Sequence, residues 1–320
     1  MMKRQLLKIH GHSQSRIGEL LTESCELIDK NVVLDTLSLG GWSNINIKGR
    51  FQDYEFVLKL PWSTVHYETN PYSYLYDLLQ IVSKSKLTTP PLALGRFKDR
   101  KETPFILLQY VDGFVHSSIA EATSEELHSL KDALYKLSLL KLPGLKTYTT
   151  PLAYLYEIHR RVSDHERLSS ASRDVLYLVR MFSQKYASIS QRVESLEAWS
   201  RETMHGDLWE PNILFNEGGV LLLDFELCCI GDPLYDLAYL IEASDRPHAV
   251  SIPDLISNEA MERIHELRPV VLMSLVSWSL ERLISMDAGI VEANLTSPQI
   301  RENMIRYSKM RLAQINTSSD

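Results

Sequence analysis

The chain has 320 residues, 44% of them hydrophobic, and a formal net charge of −7, so it is long enough to bury one large core or two lobes sharing a cleft. The acidic balance argues against a nucleic-acid-binding domain and is compatible with a cationic small-molecule partner. The longest apolar stretch, residues 269–276, is too short for a membrane span, and the basic start MMKRQLL lacks the sustained apolar segment of a secretion signal. Cys25, Cys228 and Cys229 offer no disulfide framework, so a reducing cytoplasm is the expected setting, with neither nucleic acid nor membrane as partner.

In chain order, Ile17, Leu20, Leu21, Cys25 and Ile28 recur at near-helical spacing and predict an amphipathic helix over 13–29. Residues 37–47 (LSLGGWSNINI) read strand, turn, strand. Another strand over 51–61 ends in Val57-Leu58-Lys59-Leu60. A helix over 72–82 then places Leu75, Leu78, Leu79 and Val82 on one face. Pro90-Pro91 closes the connection, and strands follow at 92–97 and 104–111. Past Asp112-Gly113 the pattern turns helical. Thr123 and Glu126 stand in capping-box spacing ahead of a helix to about residue 140. Further helices are predicted over 150–165, 170–197, 233–243, 259–286 (with Pro269 as a candidate break) and 298–314. Asp232-Pro233 and Ser297-Pro298 each read as an N-cap followed by proline in the first helical position. No internal repeat or low-complexity segment interrupts this order. The expected organisation is a β-rich lobe with a leading helix (1–111), then a helical lobe (112–320).

The chemistry is concentrated in residues 204–236, MHGDLWEPNILFNEGGVLLLDFELCCIGDPLYD. His205, Asp207 and Asn212 share one loop, and Asp224 follows Asn212 by twelve residues. A polar turn at 216–219 separates apolar strands at 213–215 and 220–223, so a hairpin should return Asp224 to the side of Asp207 and Asn212. Three converging oxygen-bearing side chains suit phosphoryl transfer from a magnesium nucleotide. Asp207 would align the acceptor hydroxyl as catalytic base, and Asn212 and Asp224 would hold the metal. The spacing is that of His-x-Asp-x₄-Asn followed by Asp-Phe-x. A carboxylate placed directly after the apolar run 220–223 also sits near a low-dielectric core, where a cation is the usual compensation.

These motifs resemble the aminoglycoside phosphotransferase and choline kinase-like family, which has His-Gly-Asp where protein kinases have His-Arg-Asp. Here the loop is His205-Gly206-Asp207, the metal segment Asp224-Phe225-Glu226, and Gly-Asp-Pro-x-x-Asp-Leu-Ala stands intact from Gly231 to Ala238. The resemblance covers nearly the whole chain and implies an α+β, bilobal protein-kinase-like fold with a small antiparallel β lobe and a large helical lobe. It implies ATP and Mg as cofactors. Gly40-Gly41-Trp42-Ser43-Asn44 resembles the family's phosphate-side loop, which brings in Gly41 and Ser43, with Lys59 neutralising phosphates from the third strand. Backbone groups of Gln109 and Val111 would meet the adenine edge. His205 buttresses the catalytic loop, Asp236 anchors its backbone, and Glu226 is a further substrate or metal contact. Trp278, Glu281 and Asp287 fall where the family builds its acceptor pocket.

One departure concerns the carboxylate expected to pair with Lys59. Glu68 comes about a turn early, and Tyr72 or Asp77 lies nearer the register. His10 and His12 form a His-x-His with no third metal ligand nearby. The expected activity is ATP- and Mg-dependent transfer of a phosphoryl group to the hydroxyl of a small molecule. Its acceptor would be an amino alcohol, a sugar or an aminoglycoside-like compound. The competing expectation is a nucleotide-binding regulatory module without turnover.

Overall fold

The computed structural model describes residues 8–28, 32–40, 44–244, 256–292 and 295–315. It divides into two compact units, Met1–Gly113 with Ile290–Ser297, and Phe114–Gly289 with Pro298–Asp320.

The first unit opens on α1 (Gln14–Ser24), capped by the Ser13 hydroxyl, which accepts the Arg16 N–H at 3.3 Å. Ile17, Leu20 and Leu21 form its buried face. The helix stops at an extended Cys25, short of the expected residue 29, and 29–31 lie outside the described residues. A five-stranded antiparallel sheet follows, made of β1 (Val33–Gly40), β2 (Asn44–Phe51), β3 (Tyr54–Pro61), β4 (Pro91–Arg96) and β5 (Pro104–Gln109) in the order β1-β2-β3-β5-β4. Gln52, with a left-handed φ of 51°, turns β2 into β3, so the third strand begins at Tyr54. β5 ends at Gln109, two residues before the expected end at Val111. Between β3 and β4, α2 (Ser73–Val82) buries Leu75, Leu78, Leu79 and Val82, the four residues its spacing singles out.

The second unit contains α3 (Ser124–Leu139), α4 (Pro151–Ser163), α5 (Arg173–Glu194), the short strands β6 (Glu202–Met204), β7 (Ile213–Asn216), β8 (Gly219–Leu222) and β9 (Cys229–Gly231), then α6 (Leu234–Ala243), α7 (Asn258–Asp287) and α8 (Pro298–Gln314). The capping box at α3 is formed: Thr123 Oγ1 accepts the Glu126 N–H at 3.3 Å, and Glu126 accepts the Thr123 N–H at 2.7 Å. At α6 the Asp232 carboxylate accepts the Leu234 N–H at 3.1 Å, and Pro233 takes the cap position itself.

α7 is the core helix of this unit, packed against α4, α5, α6 and α8. It runs unbroken through Pro269, contrary to the expected break. A proline here removes the hydrogen bond to the carbonyl of His265, and His265 is exposed, so water can satisfy that carbonyl. The flanking Leu267, Val270 and Val271 are fully buried and hold the helix in line. The expectation that no segment is long and apolar enough for a membrane span is also corrected. Ala260–Asp287 passes by length and composition, but 83% of its most apolar window is buried within the fold, as befits a core helix.

Candidate active site

The site in the second unit is built on the β7–β8 hairpin. Ile213 pairs with Leu222, and the turn is only Glu217-Gly218, with Asn216 Oδ1 accepting the Gly218 N–H at 2.8 Å. One step beyond the strands, the Leu223 N–H donates to the Asn212 carbonyl at 2.9 Å. That bond sets Asn212 beside the residue preceding Asp224, so the hairpin register brings the two proposed metal residues together. Asp224 holds a left-handed backbone (φ 65°, ψ 65°), which re-aims the chain into a short 3-10 turn at Phe225–Leu227.

His205 joins the two arms. Its backbone is fully buried, its ring Nε2 donates to the Leu223 carbonyl at 2.8 Å, and its Nδ1 accepts the Asp207 N–H at 3.3 Å. Those partners require the neutral ring with the proton on Nε2. Burial pushes the imidazole down to about 4. It also packs against Phe225, with ring centroids 4.8 Å apart.

The loop backbone hangs on Asp236 of α6. Its carboxylate, 2% exposed, accepts the His205 N–H at 2.6 Å and the Gly206 N–H at 2.8 Å. Burial nevertheless raises this carboxyl to about 7, against the pull of those two donors. Gly206 is required twice over. Its φ is +82°, and an added Cβ would lie 2.3 Å from the Leu227 carbonyl oxygen.

Asp207 is lifted to about 7, first by burial and then by the charge of Asp224; hydrogen bonds from Tyr239 and Asn212 oppose the shift. The Asn212 amide nitrogen donates to the Asp207 carbonyl at 2.8 Å and to its carboxylate at 3.2 Å. Two acceptors on one side fix the amide orientation and turn Oδ1 away from them. Among the described residues that oxygen has no hydrogen-bond partner. An open amide oxygen and a carboxylate, set beside a second carboxylate raised by burial and by the charge of Asp224, are hard oxygens that could hold a divalent cation such as magnesium. Glu226 lies exposed on the turn after Asp224, and its charge reaches Asp207.

Lys59, Gln109 and Val111 belong to the first unit. Lys59 is 4% exposed on the central strand, paired with Asn46 on β2 and Ile106 on β5. That position is unlike the edge-strand lysines that serve solubility. Glu68 and Asp77 are both exposed, whereas Tyr72 is buried and donates its hydroxyl to Asn44 Oδ1 at 2.8 Å. The Gln109 N–H is taken by the Pro90 carbonyl at 3.0 Å, while Val111 has no backbone partner among the described residues. Gly41 and Ser43 lie outside the described residues. Of the residues expected to line an acceptor pocket, Glu281 accepts the Ser277 hydroxyl at 2.8 Å and faces Arg161 at 3.7 Å. Asp287 is spent on structure, pairing with Arg301 at 3.0 Å and accepting the Ser172 N–H at 2.9 Å. The His-x-His pair is likewise structural: His10 bonds the Pro61 carbonyl at 2.9 Å and His12 bonds Asp99 at 2.8 Å.

Sequence reasoning missed Tyr239. It stands three residues after Asp236 on α6, hence on the same helix face, and that spacing was the signal that could have found it. The β6–β9 pair was also missed, because three-residue strands carry too few residues for a period to show.

Residues 38–261 match the phosphotransferase enzyme family, and the chain belongs to that family. Its fold is the protein-kinase-like fold of the small-molecule kinases. The chain is similar to the ethanolamine kinase of Plasmodium vivax (TM-score 0.67, 15% identity, covering 93% of this chain and 86% of that one). It is similar to the choline kinase of Cryptosporidium parvum (TM-score 0.61, 9% identity, 96% and 95% covered). A thermostable form of aminoglycoside phosphotransferase APH(4)-Ia, in ternary complex with AMP-PNP and hygromycin B, aligns with TM-score 0.62 at 12% identity, 94% and 98% covered. No curated protein matches the chain by sequence.

Proposed function

We propose that this phosphotransferase moves the terminal phosphoryl group of ATP to the hydroxyl of a small molecule, an amino alcohol, sugar or aminoglycoside-like acceptor, in a magnesium-dependent reaction. The observation that carries the reading is the cluster of Asp207, Asn212 and Asp224: the Asn212 amide donates to Asp207, the hairpin sets Leu223 beside Asn212, and the neutral His205 ring spans from the Asp207 N–H to the Leu223 carbonyl. Asp207 would accept the hydrogen bond of the acceptor O–H and aim its oxygen at phosphorus. The new O–P bond then forms as the bridging P–O bond to ADP breaks, and the proton leaves through Asp207. Because the transition state is loose, alignment contributes more than proton abstraction. Asn212 Oδ1 and the Asp224 carboxylate would hold the magnesium ion, which when bound neutralises charge on the phosphates. Lys59, fixed on a central strand, would bring a further positive charge to the phosphates, and the Val111 backbone would meet the nucleotide base. Glu226, exposed beside the hairpin, is retained as an acceptor or metal contact. Three free, buried cysteines suit a reducing cytoplasm.

The kinases of ethanolamine and choline among the structural neighbours favour an amino alcohol as the first acceptor class to try. ADP release should be measured with Mg-ATP over amino alcohols, sugars and aminoglycosides. Turnover should depend on the acceptor and fall by about 10²-fold or more in Asp207→Asn, which still binds nucleotide. Equal turnover in that variant would remove the assignment of Asp207. Nucleotide binding without turnover across the panel would make the chain a regulatory module instead.

A further inference from the structure

Within the first unit, far along the chain from the catalytic hairpin, the end of β3 and the turn between β4 and β5 border an open pocket of 370 Å³. That volume lies at the small end of ligand sites, which run from about 300 to 1,000 Å³. Its polar lining includes Ser63, Thr64, His66, Arg100, Lys101 and Thr103. No carboxylate is among the lining residues, although the chain as a whole is acidic.

Two neighbouring carboxylates, Asp99 and Glu292, are engaged elsewhere. Asp99 takes the His12 ring at 2.8 Å and the Thr103 N–H at 3.4 Å. Glu292 takes the His10 backbone N–H at 3.0 Å, with the His10 ring at 3.9 Å. Both are therefore occupied by the segment around residues 10–12. Among the described residues, neither Arg100 nor Lys101 has a carboxylate partner. Two adjacent, exposed cations with no ion-pair partner among the described residues thus line a preformed concavity. Deeper in, hydroxyl chemistry of both signs is open. Ser63 Oγ accepts the Val65 N–H at 3.4 Å and keeps its own proton to donate. Thr64 donates to the Ile290 carbonyl at 3.1 Å and keeps lone pairs to accept. The Thr103 side chain is buried and its hydroxyl has no partner among the described residues.

We propose that this cavity binds a small phosphate monoester. A phosphate monoester carries about −1.5 to −2 charges and three acceptor oxygens, which match an unpaired guanidinium, an unpaired ammonium and adjacent hydroxyl donors. At about 30 Å³ per water-sized volume, the space admits an ester of roughly ten heavy atoms, with hydroxyls on its body meeting Ser63 and Thr64. The inference is independent of the phosphotransfer reading, because it concerns binding alone.

Calorimetric titration of the full chain with glycerol 3-phosphate, inorganic phosphate and succinate tests it. Glycerol 3-phosphate should bind saturably at about 1 mM or tighter, and at least about tenfold more tightly than either other anion. Because Arg100 and Lys101 are exposed, the double variant Arg100→Ala/Lys101→Ala should fold as the parent does and bind about tenfold or more weakly. Thr103→Val should weaken binding in the same direction. Three results would each overturn the proposal: no saturable binding below about 10 mM, binding untouched by the double variant, or inorganic phosphate or succinate binding as well as the ester.

Discussion

Replacing His205 with Gln removes an imidazole whose neutrality the fold enforces, and acid stability is where that loss shows. The folded-state value of about 4 lies below the ordinary 6.5, so the unfolded chain binds this proton more tightly than the folded one. The sign follows: stability is complete above about pH 6.5 and declines as the pH falls toward about 4. From those two values, His205 alone removes about 1.4 kcal/mol at about pH 5.5 and about 2.5 kcal/mol at about pH 4.5. The variant starts less stable at neutral pH, because the bonds to the Leu223 carbonyl and the Asp207 N–H are lost or remade less well. Its further loss on acidification should nonetheless be smaller than that of the parent by the same increments. Urea unfolding followed by far-UV circular dichroism, from about pH 7.5 to 4.5, measures both. If parent and variant lose stability in parallel, within about 0.5 kcal/mol, His205 is not the buried neutral pin described here.

Other consequences are as direct. Gly206→Ala combines a disfavoured φ with a contact to the Leu227 carbonyl oxygen, and should destabilise the chain by about 2–4 kcal/mol, read by thermal unfolding. Tyr239→Phe deletes the hydroxyl that bonds Asp207. Turnover should fall by about tenfold with little change in the KM for ATP, whereas a purely structural role would leave turnover unchanged. Asp236→Ala strands two buried N–H groups and should cost about 2–5 kcal/mol in urea unfolding; a loss below about 1 kcal/mol would show that the loop holds itself. Lys59→Met keeps the central strand apolar and should raise the KM for ATP by about tenfold or more, measured in the ADP-release assay.

Elements of both units could be read in advance because their signals are local. The capping residues Thr123 and Glu126 lie three apart, the core face of α2 repeats with the helical period, and the β7–β8 hairpin is marked by Asn, Glu and two Gly between apolar runs. Misplaced boundaries fall where local preference meets a tertiary contact. β5 ends two residues early because, past the Tyr110 N–H bond to the Glu55 carbonyl on β3, no Val111 backbone bond extends the ladder among the described residues, and Pro269 stays helical because Leu267, Val270 and Val271 are buried around it.

The amino-acid sequence by itself determined which residues the proposed chemistry draws on. Spacing along one loop and one hairpin decides that Asp207, Asn212 and Asp224 can meet, since a hairpin register is set by its turn and by alternation along its strands. Only the tertiary structure decided what holds and tunes that cluster. The Asp236 carboxylate reaches back about thirty residues to two backbone N–H groups, the His205 ring spans from Asp207 to the Leu223 carbonyl, and Tyr239 turns its hydroxyl on Asp207. The same holds for the cavity beside β3, whose surroundings come from three separated stretches near residues 10, 63 and 100, with Ile290 and Glu292 alongside. Burial and long-range hydrogen bonding depend on which surfaces meet after folding, and residue type and period along a chain do not carry that information.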